Sequence, residues 1–157
     1  MRVIISLLLI FVLGAAHAEE QFPDGCKPLP TLDSPLVLHS KKLTVFLLHN
    51  LSDMDVWITH PVNHPSASAG WSSRLQAGKW SALALQSQNF ELTCIESKPG
   101  HEQQVACSDV LAVCHWGDMK MPDKTDNGTF WVGEDKSLMG LIGYMGRRGF
   151  AIPDSDQ

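Results

Sequence analysis

The chain has little positive charge, and this shortage excludes two classes of partner. It carries 12 lysines and arginines against 17 aspartates and glutamates, which gives a net charge of −5. Proteins that bind nucleic acid release counterions with clustered basic residues, and attachment to anionic lipid needs a polybasic segment. We therefore expect neither nucleic acid nor a lipid surface as the partner.

Long apolar runs are also missing after residue 18. A membrane-spanning helix needs roughly 20 apolar residues, and no later stretch approaches that length. The sequence shows no internal repeat either, which excludes a repeat architecture. We expect a mature chain that is soluble and folds as one domain.

Common catalytic signatures are absent as well. No serine lies in a Gly-x-Ser-x-Gly elbow, and residues 101–105 (HEQQV) lack the second histidine of a zinc protease. The carboxylates are scattered along the chain. The residues thus predict a protein that is not an enzyme and needs no cofactor, with an envelope hydrolase as a weaker alternative.

The first eighteen residues have the pattern of a secretory signal peptide. Arg2 precedes an apolar run over residues 3–13, and residues 16–18 (AHA) form a cleavage pattern with Glu19 as the mature start. We expect export to the periplasm or beyond, where cysteines can form disulfides. Residues 19–35 then form an extended lead-in that Cys26 fixes, and residues 36–157 form a single domain.

Short apolar segments separated by turn residues predict an all-β, immunoglobulin-like sandwich of about seven or eight strands. Residues 43–49 have the continuous apolar character of a strand buried on both faces, and residues 56–59 return to form a first hairpin. Residues 71–75 and 79–85 flank Gln-Ala-Gly and predict a second hairpin. Residues 110–116 and 129–132 predict two further strands.

A third hairpin predicts the disulfides. Centring its turn between Gly100 and His101 places Cys94 opposite Cys107, at a cross-strand separation near that of a disulfide. By elimination, Cys26 pairs with Cys114. The chain-entropy model gives about 3 kcal/mol for the short loop and roughly 4–5 kcal/mol for the long one.

A C-terminal helix is expected over about residues 136–148. An apolar stripe at helical spacing marks it, formed by Leu138, Leu141, Ile142 and Met145. Asp135 is the predicted N-cap, Gly149 suits C′, and Phe150 would close the end against Met145. Three glycines oppose a helix, and we expect close packing against the sheet to offset their cost: Gly140, Gly143 and Gly146.

Residues 114–121 (CHWGDMKM) resemble the loop that supplies copper ligands in a cupredoxin. The alternative function is therefore a periplasmic copper-binding, cupredoxin-like protein that uses His115, Met119 and Met121. Adjacent residues on a strand project to opposite faces, however, and a Cys114 held in a disulfide cannot bind metal. We therefore expect first that the protein has no metal site.

The five tryptophans are expected to lie mostly in the core. One or two exposed together would form a surface for a partner. Residues 60–70 (HPVNHPSASAG) read as a polar loop, since two prolines block regular structure. A possible partner surface therefore combines Trp71 with His60 and His64.

Several segments resemble the enhanced-entry protein B family. They are residues 22–26 (FPDGC), 94–105 (CIESKPGHEQQV) with Cys107, 113–116 (VCHW), 128–134 (GTFWVGE) and 146–150 (GRRGF). Members of that family are small exported proteins of Gram-negative bacteria that live inside host cells. The resemblance implies an envelope protein that contributes to host-cell entry or intracellular survival. It implies other enhanced-entry proteins as partners, including one built of helical repeats, and no catalytic residue set.

Overall fold

The computed structural model describes residues 22–29, 35–60, 71–86, 89–117, 119 and 129–153; for Trp71 and residues 129–135 it describes the backbone. The predicted signal peptide lies outside these residues. The elements in them are β1 (Lys27–Pro28), β2 (Leu36–His39), β3 (Thr44–Asn50), β4 (Asp55–His60), β5 (Trp71–Leu75), β6 (Trp80–Leu85), β7 (Asn89–Lys98), β8 (His101–Val105), α1 (Cys107–Val110), β9 (Leu111–Gly117), β10 (Thr129–Lys136) and α2 (Leu138–Arg147).

The strands form two antiparallel sheets. The first sheet has the order β1-β9-β3-β6-β10, and the second has the order β2-β7-β4-β5, with β8 also paired to β7. Side chains that alternate along the strands fill the space between the sheets, among them Leu38, Phe46, Ile58 and Leu83. The predicted all-β sandwich with two disulfides and a short C-terminal helix is confirmed.

The central strands β3 and β6 of the first sheet are buried on both faces. All six residues of β6 are buried, and so are six of the seven residues of β3. The outer face of this sheet packs against α2 and the N-terminal lead-in through a second apolar cluster that includes Cys26, Trp80, Trp116, Leu141 and Met145. Burial on both faces explains why residues 43–49 read as a continuous apolar run.

Two of the three predicted hairpins are wrong. β3 and β4 belong to different sheets, and so do β5 and β6. Asn50 explains the first crossing, because its fully buried side chain donates to the carbonyls of Met54 (2.8 Å) and Leu75 (2.9 Å) and accepts from Ser52 N. Its backbone also bonds to Gly78 and Lys79 in the second crossing. The turn residues therefore predicted where the chain reverses, but they did not predict which sheet the next strand joins.

The third hairpin is confirmed, but its predicted register is wrong by two residues. The turn consists of Pro99 and Gly100, so that Lys98 pairs with His101 and Cys94 pairs with Val105. Gly100 has a φ of 77°, which suits the tight turn. Cys107 lies beyond β8, where α1 turns the chain back towards β7.

Both predicted disulfides are confirmed. Cys94 and Cys107 are 5.2 Å apart at their Cα atoms, and Cys26 and Cys114 are 5.5 Å apart. The second bond attaches the lead-in to the first sheet, where β1 pairs with β9. On the same face, the indole Nε1 of Trp116 donates to the carbonyl of Asp24 at 3.1 Å.

The C-terminal helix is shorter than predicted and its cap differs. Ser137, not Asp135, is the N-cap, and its hydroxyl accepts from Gly140 N at 3.1 Å. Gly149 has a φ of 90° at C′, as expected, and Phe150 is buried in the cluster that holds Met145. The expected packing of the three glycines is wrong: Gly140, Gly143 and Gly146 are exposed, because Leu141 and Met145 occupy the sheet side.

Candidate binding surfaces

The residues of the predicted copper alternative do not meet in one place. His115 contacts the Phe46 ring between the sheets, at a centroid distance of 5.9 Å, whereas Met119 is buried in the cluster on the outer face of the first sheet. Cys114 is bonded to Cys26, and Met121 lies outside the described residues. Among the residues that the structure describes, no group of three or more His, Cys, Asp or Glu could hold a metal ion.

The predicted partner surface is described only at His60 and the backbone of Trp71. The His60 ring stacks on Phe90 at 4.1 Å, and its Nδ1 donates to the carbonyl of Glu91 at 2.6 Å. These contacts hold His60 against its own sheet. Trp71 pairs with His60 in the strand register, while His64 lies outside the described residues.

The outer face of the second sheet presents a different aromatic side chain, Trp57. The register places Trp57 between Arg74 of β5 and Ile95 of β7, and places Thr59 beside Thr93. Trp57 and Ile95 are each half-buried, and Val56 and Ile58 on either side of Trp57 are fully buried. We call the set Trp57, Thr59, Arg74, Thr93 and Ile95 the Trp57 face.

The Trp57 face is partly accessible to solvent, since Arg74 is exposed and the other four residues are half-buried. Helix α2 packs on β6 and β10 of the first sheet, on the other side of the sandwich. The two sheets thus differ, since the central strands of the first are buried on both faces, whereas one face of the second is partly accessible to solvent. An accessible face with an aromatic at its centre is typical of a surface that binds another protein.

Polar contacts order the side chains around Trp57. Thr59 and Thr93 share a hydrogen bond between their hydroxyls at 2.5 Å. Arg74 Nε lies 3.4 Å from the Asp55 carboxylate, with the two side chains 47% and 34% exposed. An ion pair this exposed contributes only about 0–1 kcal/mol to stability, so Arg74 can exchange Asp55 for a partner's carboxylate at little cost.

A notch borders the Trp57 face where β2 and β8 end on the same side of β7. On that side of β7, residues 89–92 pair with β2, and the residues from Cys94 onward pair with β8. The gap encloses about 240 Å³ beside the Cys94–Cys107 disulfide, and Glu91, Thr93 and Gln104 line it. It offers hydrogen-bonding groups next to the apolar centre.

Sequence reasoning missed the Trp57 face, although part of its signal was present. Residues 55–59 (DVWIT) alternate between apolar and mixed character, which places Trp57 opposite Val56 and Ile58. The pairing of β4 with β7 brings Ile95 beside Trp57. No local pattern predicts that pairing, because 34 residues separate Thr59 from its partner Thr93.

A second opening lies between the sheets, and we call it the inter-sheet cleft. It encloses about 280 Å³ where β2 faces β3 and β9, with Leu29, Leu36 and Phe46 as its apolar wall and His39, Thr44 and His115 as its polar wall. Burial lowers the pKa of His115, and the nearby Lys27 ammonium lowers it further. The imidazole is therefore mainly neutral at pH 7.

No helix in the described ranges has the length and apolar character to cross a bilayer. No known protein family, curated protein or solved structure matches this chain.

Proposed function

We propose that this chain is a non-enzymatic protein of the bacterial envelope that contributes to host-cell entry or intracellular survival by binding another protein. The Trp57 face is its binding surface. The observation that supports this most directly is the half-buried pair Trp57 and Ile95, on a sheet face that lies on the opposite side of the sandwich from α2.

The covalent structure and the sequence support the proposed location. Two disulfides and the lack of a spanning helix in the described residues are consistent with a protein outside the cytoplasm. The signal pattern of residues 1–18 supports periplasmic or secreted export. The resemblance to the enhanced-entry proteins supports their helical-repeat member as the partner.

Site-specific photocrosslinking in envelope extracts tests the surface. A photoreactive side chain at Ser72, whose register places it beside Thr59, should crosslink to one envelope protein that mass spectrometry identifies as the helical-repeat partner. The same group at Met139, which is 75% exposed on α2 on the other side of the sandwich, should give no such product.

Substitution of the central residue supplies the second arm. Trp57→Ala should abolish the Ser72 product, whereas Met139→Ala should retain it, because Met139 is 75% exposed on α2. Both variants should unfold as cooperatively as the parent protein, so that a lost crosslink reports lost binding and not lost folding. A Trp57→Ala protein that still folds and still crosslinks would show that the face is not the binding surface.

A further inference from the structure

The inter-sheet cleft has the size and wall of a small-molecule site. Its volume of about 280 Å³ is roughly twice the ~150 Å³ of an engineered apolar cavity that takes up benzene. The apolar wall consists of Leu29, Leu36 and Phe46. A ring with a short side chain matches this space.

In the polar wall, Thr44 and His39 each have a hydrogen-bond partner within the protein. Thr44 Oγ1 donates to the carbonyl of Lys42 at 3.1 Å, and His39 Nδ1 is held by Asn89 Oδ1 at 2.9 Å. The ring nitrogens of His115 make no hydrogen bond within the described part of the chain. The imidazole of His115 can therefore donate a hydrogen bond into the cleft.

Lys27 lies next to a residue of the polar wall, in a protein that is acidic overall. Lys27 pairs in register with His115, so that both side chains lie on the same face of the first sheet. No carboxylate of the described residues forms a salt bridge with Lys27. Lys41 and Lys42 lie in the turn between β2 and β3, which joins His39 to Thr44.

We propose that the inter-sheet cleft binds a small organic carboxylate with an apolar body about the size of phenylacetate. The carboxylate lies between Lys27 and His115, and the body packs on Leu29, Leu36 and Phe46. This site is separate from the Trp57 face, because its wall comes from the edges of both sheets.

A chemical-shift titration of the purified exported protein, labelled with ¹⁵N, tests the site. Phenylacetate at pH 7.5 should shift the amide signals of Leu36, Phe46 and His115, and the shifts should saturate. Neutral phenylacetamide should bind about fivefold more weakly, because it cannot form the exposed ion pair with Lys27. Lys27→Gln should remove this difference. Lys98→Gln, at the distant β7–β8 turn, should leave it unchanged.

A filling variant shows where the ligand binds. Gly117 lines the cleft, and an added Cβ would meet no atom within 4 Å, so the side chain of Gly117→Leu begins in open space and should occupy part of the cleft. This variant should keep the dispersed spectrum of the folded protein and lose the binding of both compounds. Shifts that do not saturate, shifts away from the cleft, or equal affinities for acid and amide in the parent protein would each overturn the proposal.

Discussion

Two polar residues, Asn50 and His115, lie where the chain crosses between the sheets or where the sheets separate. Asn50 is fully buried and forms hydrogen bonds to both segments that cross between the sheets. His115 lies at the opening between the sheets and contacts Phe46. Each side chain has a partner far away in sequence, Leu75 for Asn50 and Phe46 for His115, so neither role was fully visible in the local pattern.

His115 should make stability depend on pH. Its pKa in the folded state is below the ordinary value of 6.5, so the unfolded chain binds more protons in the interval between the two. Stability is then fully present above pH 6.5 and falls as the pH drops from 6.5 towards the folded-state value. Urea unfolding at pH 7.5 and 5.5 should show a larger loss for the parent protein than for His115→Gln.

Other ionisable groups are shared by both proteins and cancel in this comparison. Equal losses in the parent protein and the variant would mean that the imidazole titrates normally in the folded state.

At the scale of elements, strands were predictable where one local pattern determined them. The apolar run of β3 and the reversal near Gly100 are local features, and the sequence predicted both. The two false hairpins failed because a turn fixes a reversal but not a partner. The disulfide between Cys94 and Cys107 was right although its register was wrong, since α1 returns Cys107 to β7.

Helix α2 allows a prediction from its exposed glycines. A Cβ at Gly143 would meet only Arg147 Nη1, at 3.5 Å, so Gly143→Ala fits and should stabilise the protein by about 0.5–1 kcal/mol. Gly149→Ala should destabilise it by about 1–2 kcal/mol, because φ there is 90° and the left-handed conformation is costly for alanine. Urea denaturation of both variants measures these differences in free energy.

The contrast between the two positions is the control, because each substitution adds one methyl group, at Gly143 within α2 and at Gly149 just after its C-terminus. A Gly143→Ala protein less stable than the parent would mean that this face of α2 is packed, as the sequence had suggested.

At the scale of the whole molecule, the two disulfides hold different layers together. Cys94–Cys107 lies within the core between the sheets, whereas Cys26–Cys114 attaches the lead-in to the outer face of the first sheet. The lead-in brings Phe22 edge-on to Trp80, with ring centroids 6.1 Å apart. The long bridge therefore holds the lead-in over one side of the sandwich, and the other side keeps the partly accessible Trp57 face.

Removing each bridge in turn should separate these roles. The long loop spans 88 residues and the short one 13, so the chain-entropy model gives about 4.6 kcal/mol for Cys26→Ala/Cys114→Ala and about 2.9 kcal/mol for Cys94→Ala/Cys107→Ala. Only the first variant should also red-shift the tryptophan emission of the native state, because release of the lead-in exposes Trp80 and Trp116. Urea unfolding followed by fluorescence gives both quantities. If removal of the short bridge produced the larger loss and the red shift, the lead-in would not seal the first sheet, and the asymmetry that singles out the Trp57 face would lose its structural basis.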